Sequence, residues 1–167
     1  MKQNNFIRYQ DLLTIPVMDN KEKLTSLQEI GIASGYQQSM ADMISVLGED
    51  IFVRESVAQK LVQVQKKLQK RYPTLSLFVT YGYRSLGIQI KKFLEILKSS
   101  SKFYKNPYDL YEAVHESIAV PTVAGHPTGG AVDIVLVNTI SQSMVDFGSP
   151  LYGFPSQTCY TFAKVIS

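Results

Sequence analysis

Residues 124 to 133 run Ala-Gly-His-Pro-Thr-Gly-Gly-Ala-Val-Asp and open directly onto the apolar run Ile134-Val135-Leu136-Val137. A short apolar run rich in β-branched residues, bounded by turn residues, predicts a strand, and this one is expected to be buried on both faces. A carboxylate at the mouth of such a strand is costly to desolvate unless a partner or a cation offsets its charge. Asp133 occupies that mouth. His126 precedes it across a turn of small residues, where Gly129, Gly130 and Ala131 let the backbone fold back on itself. The sequence therefore predicts that the two side chains meet. A pair of imidazole and carboxylate is a ligand set that a metal ion accepts. His126 also reads as a polar loop residue and Asp133 as a strand-edge Asp, but the spacing and the glycines favour the metal.

The rest of the chain reads as helices around this strand. Residues 1 to 20 are expected to be irregular, with Pro16 breaking any helix. Met40, Met43, Ile44 and Leu47 recur at helical spacing. Val57, Leu61, Val64 and Leu68 do the same and predict a helix over 54–70 with one buried face. Leu75 to Thr80 is strand-like. Leu86, Ile90, Phe93, Leu94 and Leu97 mark a further helix, with Ser85 as its N-cap. Residues 99–107 read as a loop, 109–117 as a short helix and 131–138 as the central strand. The expected fold class is α+β, a small antiparallel sheet flanked by helices in a single domain over 1–167.

Three elements in one order resemble the D-alanyl-D-alanine dipeptidases, zinc metallopeptidases that cleave cell-wall dipeptides. His126, Gly129, Ala131 and Asp133 fit their His-x-x-Gly-x-Ala-x-Asp signature. Tyr81-Gly82-Tyr83-Arg84-Ser85 after a strand is similar to their Gly-Tyr-Arg element. Val145-Asp146-Phe147-Gly148-Ser149-Pro150 resembles their Asp-Met-Gly-Thr-Pro segment, and Phe52-Val53-Arg54-Glu55 leads into an amphipathic helix as it does there. The resemblance runs from about residue 30 onward. It implies one zinc ion held by His126 and Asp133, with Arg84 stabilising the oxyanion of the scissile peptide and a small D-amino-acid dipeptide as partner.

The same resemblance assigns a third ligand and the general base to a Glu-x-x-His element downstream of the Asp ligand. No Glu or His follows Asp133, and the chain has no Trp. The expectation is a C-terminally incomplete domain, inactive as it stands, with zinc weakly bound or absent. Glu112 and His115 form a Glu-x-x-His on the wrong side of His126 and read better as part of a packed helix. The family commonly has Asp at the position of Tyr81, Ser at Ala124 and Asp at Tyr152. Losing those carboxylates leaves the dipeptide open, while the ligands and the Arg are retained. The rival readings are a non-catalytic paralogue that binds cell-wall peptides through a degenerate metal site, and a purely structural domain.

Composition narrows the remaining classes. With 45% hydrophobic and 19% charged residues over 167 positions, the chain is expected to fold around a core. A net charge of +3 gives no footprint for nucleic acid. Cys159 is the single cysteine, so no internal disulfide forms, and its surroundings read as those of an inert thiol. No apolar run approaches the roughly 20 residues of a membrane span. Met1 to Phe6 lacks a secretion signal's apolar core. A bacterial cytoplasmic location is expected, or a periplasmic one if a signal peptide has been removed. Lys60, Lys66, Lys67, Lys70 and Arg71 read as the solvated face of a helix.

Overall fold

A computed structural model of the chain describes residues 8–16 and 19–147. Cys159, Tyr152 and the segment from Gly148 onward lie outside the described residues. The fold is α+β. In chain order it comprises α1 (Tyr9–Leu12), β1 (Leu24–Ser26), α2 (Ile44–Leu47), β2 (Phe52–Arg54), α3 (Glu55–Arg71), β3 (Leu75–Tyr81), α4 (Leu86–Ser100), α5 (Pro107–Ser117), β4 (Asp133–Asn138) and β5 (Ser143–Met144).

The strands make two antiparallel sheets where a single sheet was expected. β1 pairs with β2, and β4 lies between β3 and β5. The short strands β1, β2 and β5 carry too few alternating residues to announce themselves. The first 20 residues are not wholly irregular either, because Tyr9–Leu12 forms one helical turn whose Tyr9 is buried. The strand at 133–138 departs from expectation in burial. Val135 is 3% exposed, but Ile134 is 39% exposed. An antiparallel sheet needs cover on one face only, so an apolar run can encode a strand without burial on both sides.

α3 packs on both sheets. Ala58 and Leu61 join Leu27, Ile51, Val53, Leu77 and Val79 in one core, while Val64 stays 48% exposed. The helix is turned so that Gln65, not Val64, faces β3, where its Oε1 accepts the Leu77 N–H at 2.7 Å. Satisfying that backbone donor outweighs burying one more valine. The lysines of α3 are exposed, as expected of a solvated face. A second core gathers Tyr9, Phe93, Val114 and Val120 between α4 and α5.

α4 begins where Ser85 caps it, with the hydroxyl accepting the Ile88 N–H at 3.3 Å. Phe93 and Leu97 face the second core, but Leu86, Ile90 and Leu94 form an exposed row. Gln89 takes the buried place beside them. The stretch expected as a loop from 99 starts later, since α4 continues to Ser100 and a further turn covers Ser101–Phe103. Pro107 opens α5, with the Asn106 side chain accepting from Tyr108 N at 3.0 Å.

These placements separate two residues that sequence periodicity treats alike. Leu61→Ala is expected to cost about 2–5 kcal/mol, because it opens a cavity in a closed core. Val64→Ala is expected to stay within about 1 kcal/mol. Urea unfolding of both variants measures the difference, and equal losses would contradict the helix orientation described.

Candidate metal centre

β3 and β4 run antiparallel with Leu77 opposite Leu136 and Val79 opposite Ile134. The register then shifts, so that Tyr81 rather than Thr80 lies opposite Asp133. This bulge turns the Tyr81 side chain toward the face that carries Asp133, a common device beside functional sites. Beyond it Gly82 passes very close to β2. A Cβ there would lie 2.5 Å from the Phe52 carbonyl oxygen, so only glycine fits.

The Gly82 carbonyl oxygen sits 2.8 Å from Nδ1 of His126. Only a protonated Nδ1 makes that contact favourable, which leaves the neutral ring's Nε2 as a bare lone pair. Nε2 lies 3.7 Å from Oδ1 of Asp133. Two acceptors that face each other repel unless a proton or a cation lies between them. Two ligand atoms bound to one tetrahedral zinc at about 2.0–2.1 Å are separated by about 3.4 Å. The observed gap is close to that, and both side chains retain access to solvent, 21% for His126 and 35% for Asp133. The donor set and the tautomer therefore fit two ligands of a zinc ion. Among the described residues, no third His, Cys, Asp or Glu completes a metal-holding group.

The turn that carries His126 is tight. His126–Thr128 forms a single 3-10 turn, closed by Gly129 in the left-handed region at φ +73°. The His126 carbonyl accepts the Gly129 N–H at 3.0 Å and the Arg84 N–H at 3.1 Å. His126 and Asp133 thus meet at the strand end, and the Arg84 backbone joins them through the His126 carbonyl.

Arg84 is more enclosed than a substrate-touching role suggests, at 3% exposed. Its guanidinium lies over the Tyr81 ring, with Cζ 4.5 Å from the centroid. Nε donates to the Tyr81 hydroxyl oxygen at 2.8 Å and Nη1 to Gln89 Oε1 at 2.9 Å. The Tyr81 hydroxyl donates to Asp42 Oδ1 at 2.5 Å, and Lys92 pairs with Asp42 Oδ2 at 2.8 Å. Gln89 is fixed in turn by donating to the Ala119 carbonyl at 2.6 Å. Burial, reinforced by the bond to Asp42, pushes the Tyr81 phenol well above its ordinary range. Tyr36 meets Tyr81 edge-on, with centroids 5.6 Å apart, and is pushed up to about 12 by burial and the nearby Asp42 and Asp50 carboxylates. The Tyr81 ring also meets the His126 ring edge-on at 5.1 Å. One phenol therefore contacts both the candidate ligand and the buried cation.

Asp42, Gln89 and Lys92 escaped the sequence reading. Gln89 did leave a signal, as a polar residue within the apolar spacing of Leu86, Ile90 and Phe93. Asp42 left none, because its partners are distant in sequence. Glu112 and His115 lie elsewhere, in the second core. Glu112 Oε2 accepts the Tyr9 N–H at 3.3 Å, and His115 Nδ1 accepts the Val120 N–H at 3.1 Å. Burial lowers the His115 pKa, only partly opposed by Glu112. These contacts agree with the packed-helix reading of that motif. A hollow of about 400 Å³ beside α3, lined by Thr25, Ile30, Ala58, Gln59 and Val62 among others, includes none of the candidate residues.

No family model matches the chain, and no curated protein matches it either. No helix among the described residues is long and apolar enough to cross a membrane.

Two measurements follow from the buried groups. Tyr81→Phe removes one hydroxyl between two charged partners and is expected to cost about 1–3 kcal/mol in urea unfolding. A cost near zero would mean that the bonds to Asp42 and Arg84 do not hold in solution. His115 has its pKa lowered on folding, so the unfolded chain takes up the proton first as pH falls. Its contribution is full above about pH 6.5 and is lost as pH drops below that value. His115→Gln should flatten that part of the stability profile relative to the parent protein. An unchanged slope between pH 8 and 5 would contradict the burial of a neutral imidazole.

Proposed function

We propose that this chain is a zinc-binding domain of the D-alanyl-D-alanine dipeptidase type, directed at small D-amino-acid dipeptides. The observation that carries the reading is the orientation of His126. Its Nδ1 is tied to the Gly82 carbonyl, and its Nε2 lone pair faces the Asp133 carboxylate. Metal-binding histidines are commonly fixed by such a hydrogen bond on the far nitrogen. A proton shared by the pair is the bland alternative, and it needs neither the fixed tautomer nor the solvent access.

Zinc, when bound, supplies Lewis acidity toward a peptide carbonyl and makes an attacking water more acidic. The protein's own residues do the rest. His126 and Asp133 hold the ion, and Gly82 keeps the His126 proton on the nitrogen away from it. Arg84 places a fixed positive charge over the Tyr81 ring, which also meets the His126 ring, in surroundings of low dielectric where it acts strongly on negative charge that develops nearby. Among the described residues its direct side-chain partners are a phenol and an amide, both neutral, so these do not cancel the charge at contact.

The proton-transfer role that the resemblance gives to a Glu has no counterpart after Asp133. Hydrolysis is therefore not expected of these 167 residues. The enclosure of Arg84 favours, as second reading, a non-catalytic paralogue that binds cell-wall peptides.

One zinc per chain should bind, weakly and with rapid exchange, because catalytic sites ordinarily use three protein ligands. His126→Ala should abolish that binding. Isothermal titration with zinc chloride reads both. Binding unaffected by His126→Ala would remove the site. D-Ala-D-Ala turnover should be undetectable for the 167-residue chain and should appear once a downstream Glu-x-x-His segment is appended. Turnover by the unextended protein would contradict the assignment of the base.

A further inference from the structure

We propose that Arg54 is a positioning residue for the His126–Asp133 pair, acting through the turn that carries His126. Its geometry stands on the fold alone, while its effect on metal rests on the zinc reading above.

Arg54 closes β2, and its side chain is 22% exposed. Its backbone N–H donates to the Gly129 carbonyl at 2.9 Å, and its Nε donates to the Thr128 carbonyl at 2.6 Å. One residue thus holds two consecutive carbonyls of the His126 turn. The other arm of the guanidinium reaches back along the chain. Nη1 donates to the Glu22 carbonyl, and Nη2 pairs with Asp19 Oδ1 at 3.3 Å. A planar fork with donors in fixed directions suits this task, and an ammonium on a flexible stem does not.

The turn is also pressed against the small sheet. A Cβ on Gly129 would lie 2.7 Å from Leu24 Cδ2 and 3.2 Å from Arg54 Cγ. From the opposite side, the Arg84 N–H and the Gly82 carbonyl hold His126 itself. His126 therefore sits between two supports, the exit of β3 and the end of β2. Asp133 follows on the same short segment, so the side-chain gap of 3.7 Å depends on where Arg54 sets the turn. Without the guanidinium, the Thr128 carbonyl loses its donor and the turn keeps only the main-chain bond from Arg54.

Loss of a group that orients a ligand commonly weakens metal binding by about 10–100-fold. Arg54→Met keeps the stem and removes the fork. Zinc affinity, read by competition with a chromophoric chelator, should fall at least about tenfold. Gly129→Ala, which displaces the same turn, should lower it too, and Lys60→Met on the exposed face of α3 should not. A second readout needs no metal. In the zinc-free protein near pH 8, the imidazole ¹⁵N resonances of His126 should report the Nδ1–H tautomer, and Arg54→Met should turn it into a mixture. If Arg54→Met does not fold, Arg54→Lys should move both readouts in the same direction. A folded variant with the parent's zinc affinity, or with the parent's tautomer, overturns the proposal. If the parent protein binds no zinc, the metal reading falls, and the tautomer comparison alone decides the role of Arg54.

Discussion

The ladder between β3 and β4 decides where every candidate side chain lies. It joins residues more than 50 positions apart in sequence, and Val79 opposite Ile134 is its last regular pair. A strict continuation would place Thr80 opposite Asp133 and leave Tyr81 on the other face. The bulge inserts one residue, and Tyr81 shares its side with Asp133 instead. Gly82 then presents its carbonyl to His126, and Arg84 its N–H to the His126 backbone. A slip of one residue would undo all of these contacts at once, because alternate residues of a strand face opposite ways.

A buried guanidinium is the second constraint. Arg84 is held by a phenol and an amide, and the carboxylate of Asp42 stands one hydroxyl away, already paired with Lys92. Desolvating a cation without a direct counter-ion is costly, so the surrounding dipoles must be fixed in place. The anchoring of Gln89 to Ala119 and of Tyr81 to Asp42 does this. The arrangement leaves positive charge over the Tyr81 ring, which also meets the His126 ring edge-on. At 3% exposed, Arg84 is shielded from water, which strengthens its field rather than weakening it.

The sequence made some of this visible and hid the rest for physical reasons. The long helices α3 and α4 and the strands β3 and β4 were legible, because each carries enough periodic residues to state its type. The strands β1 and β2 were not, since three residues hold no pattern of their own. His126 and Asp133 were legible as a pair because the turn between them is short. Arg84 was legible as a position but not as a buried one. Its side-chain partners Tyr81 and Gln89 are close in sequence, but Tyr81 is tied in turn to Asp42, which three-dimensional contact alone brings there. Val64 shows the limit of periodicity. A helix face is settled by the partner sheet, and there Gln65 had a backbone donor to satisfy.

The central claim is that a cation, not merely a proton, occupies the space between His126 and Asp133. X-ray absorption at the zinc edge, on the protein loaded with one equivalent of zinc, tests it most directly. The expected spectrum contains one imidazole and otherwise oxygen neighbours, at about 2.0–2.2 Å, with the imidazole scattering lost in His126→Ala. A shell of sulfur at about 2.3 Å, or an imidazole signal that survives His126→Ala, would contradict the account.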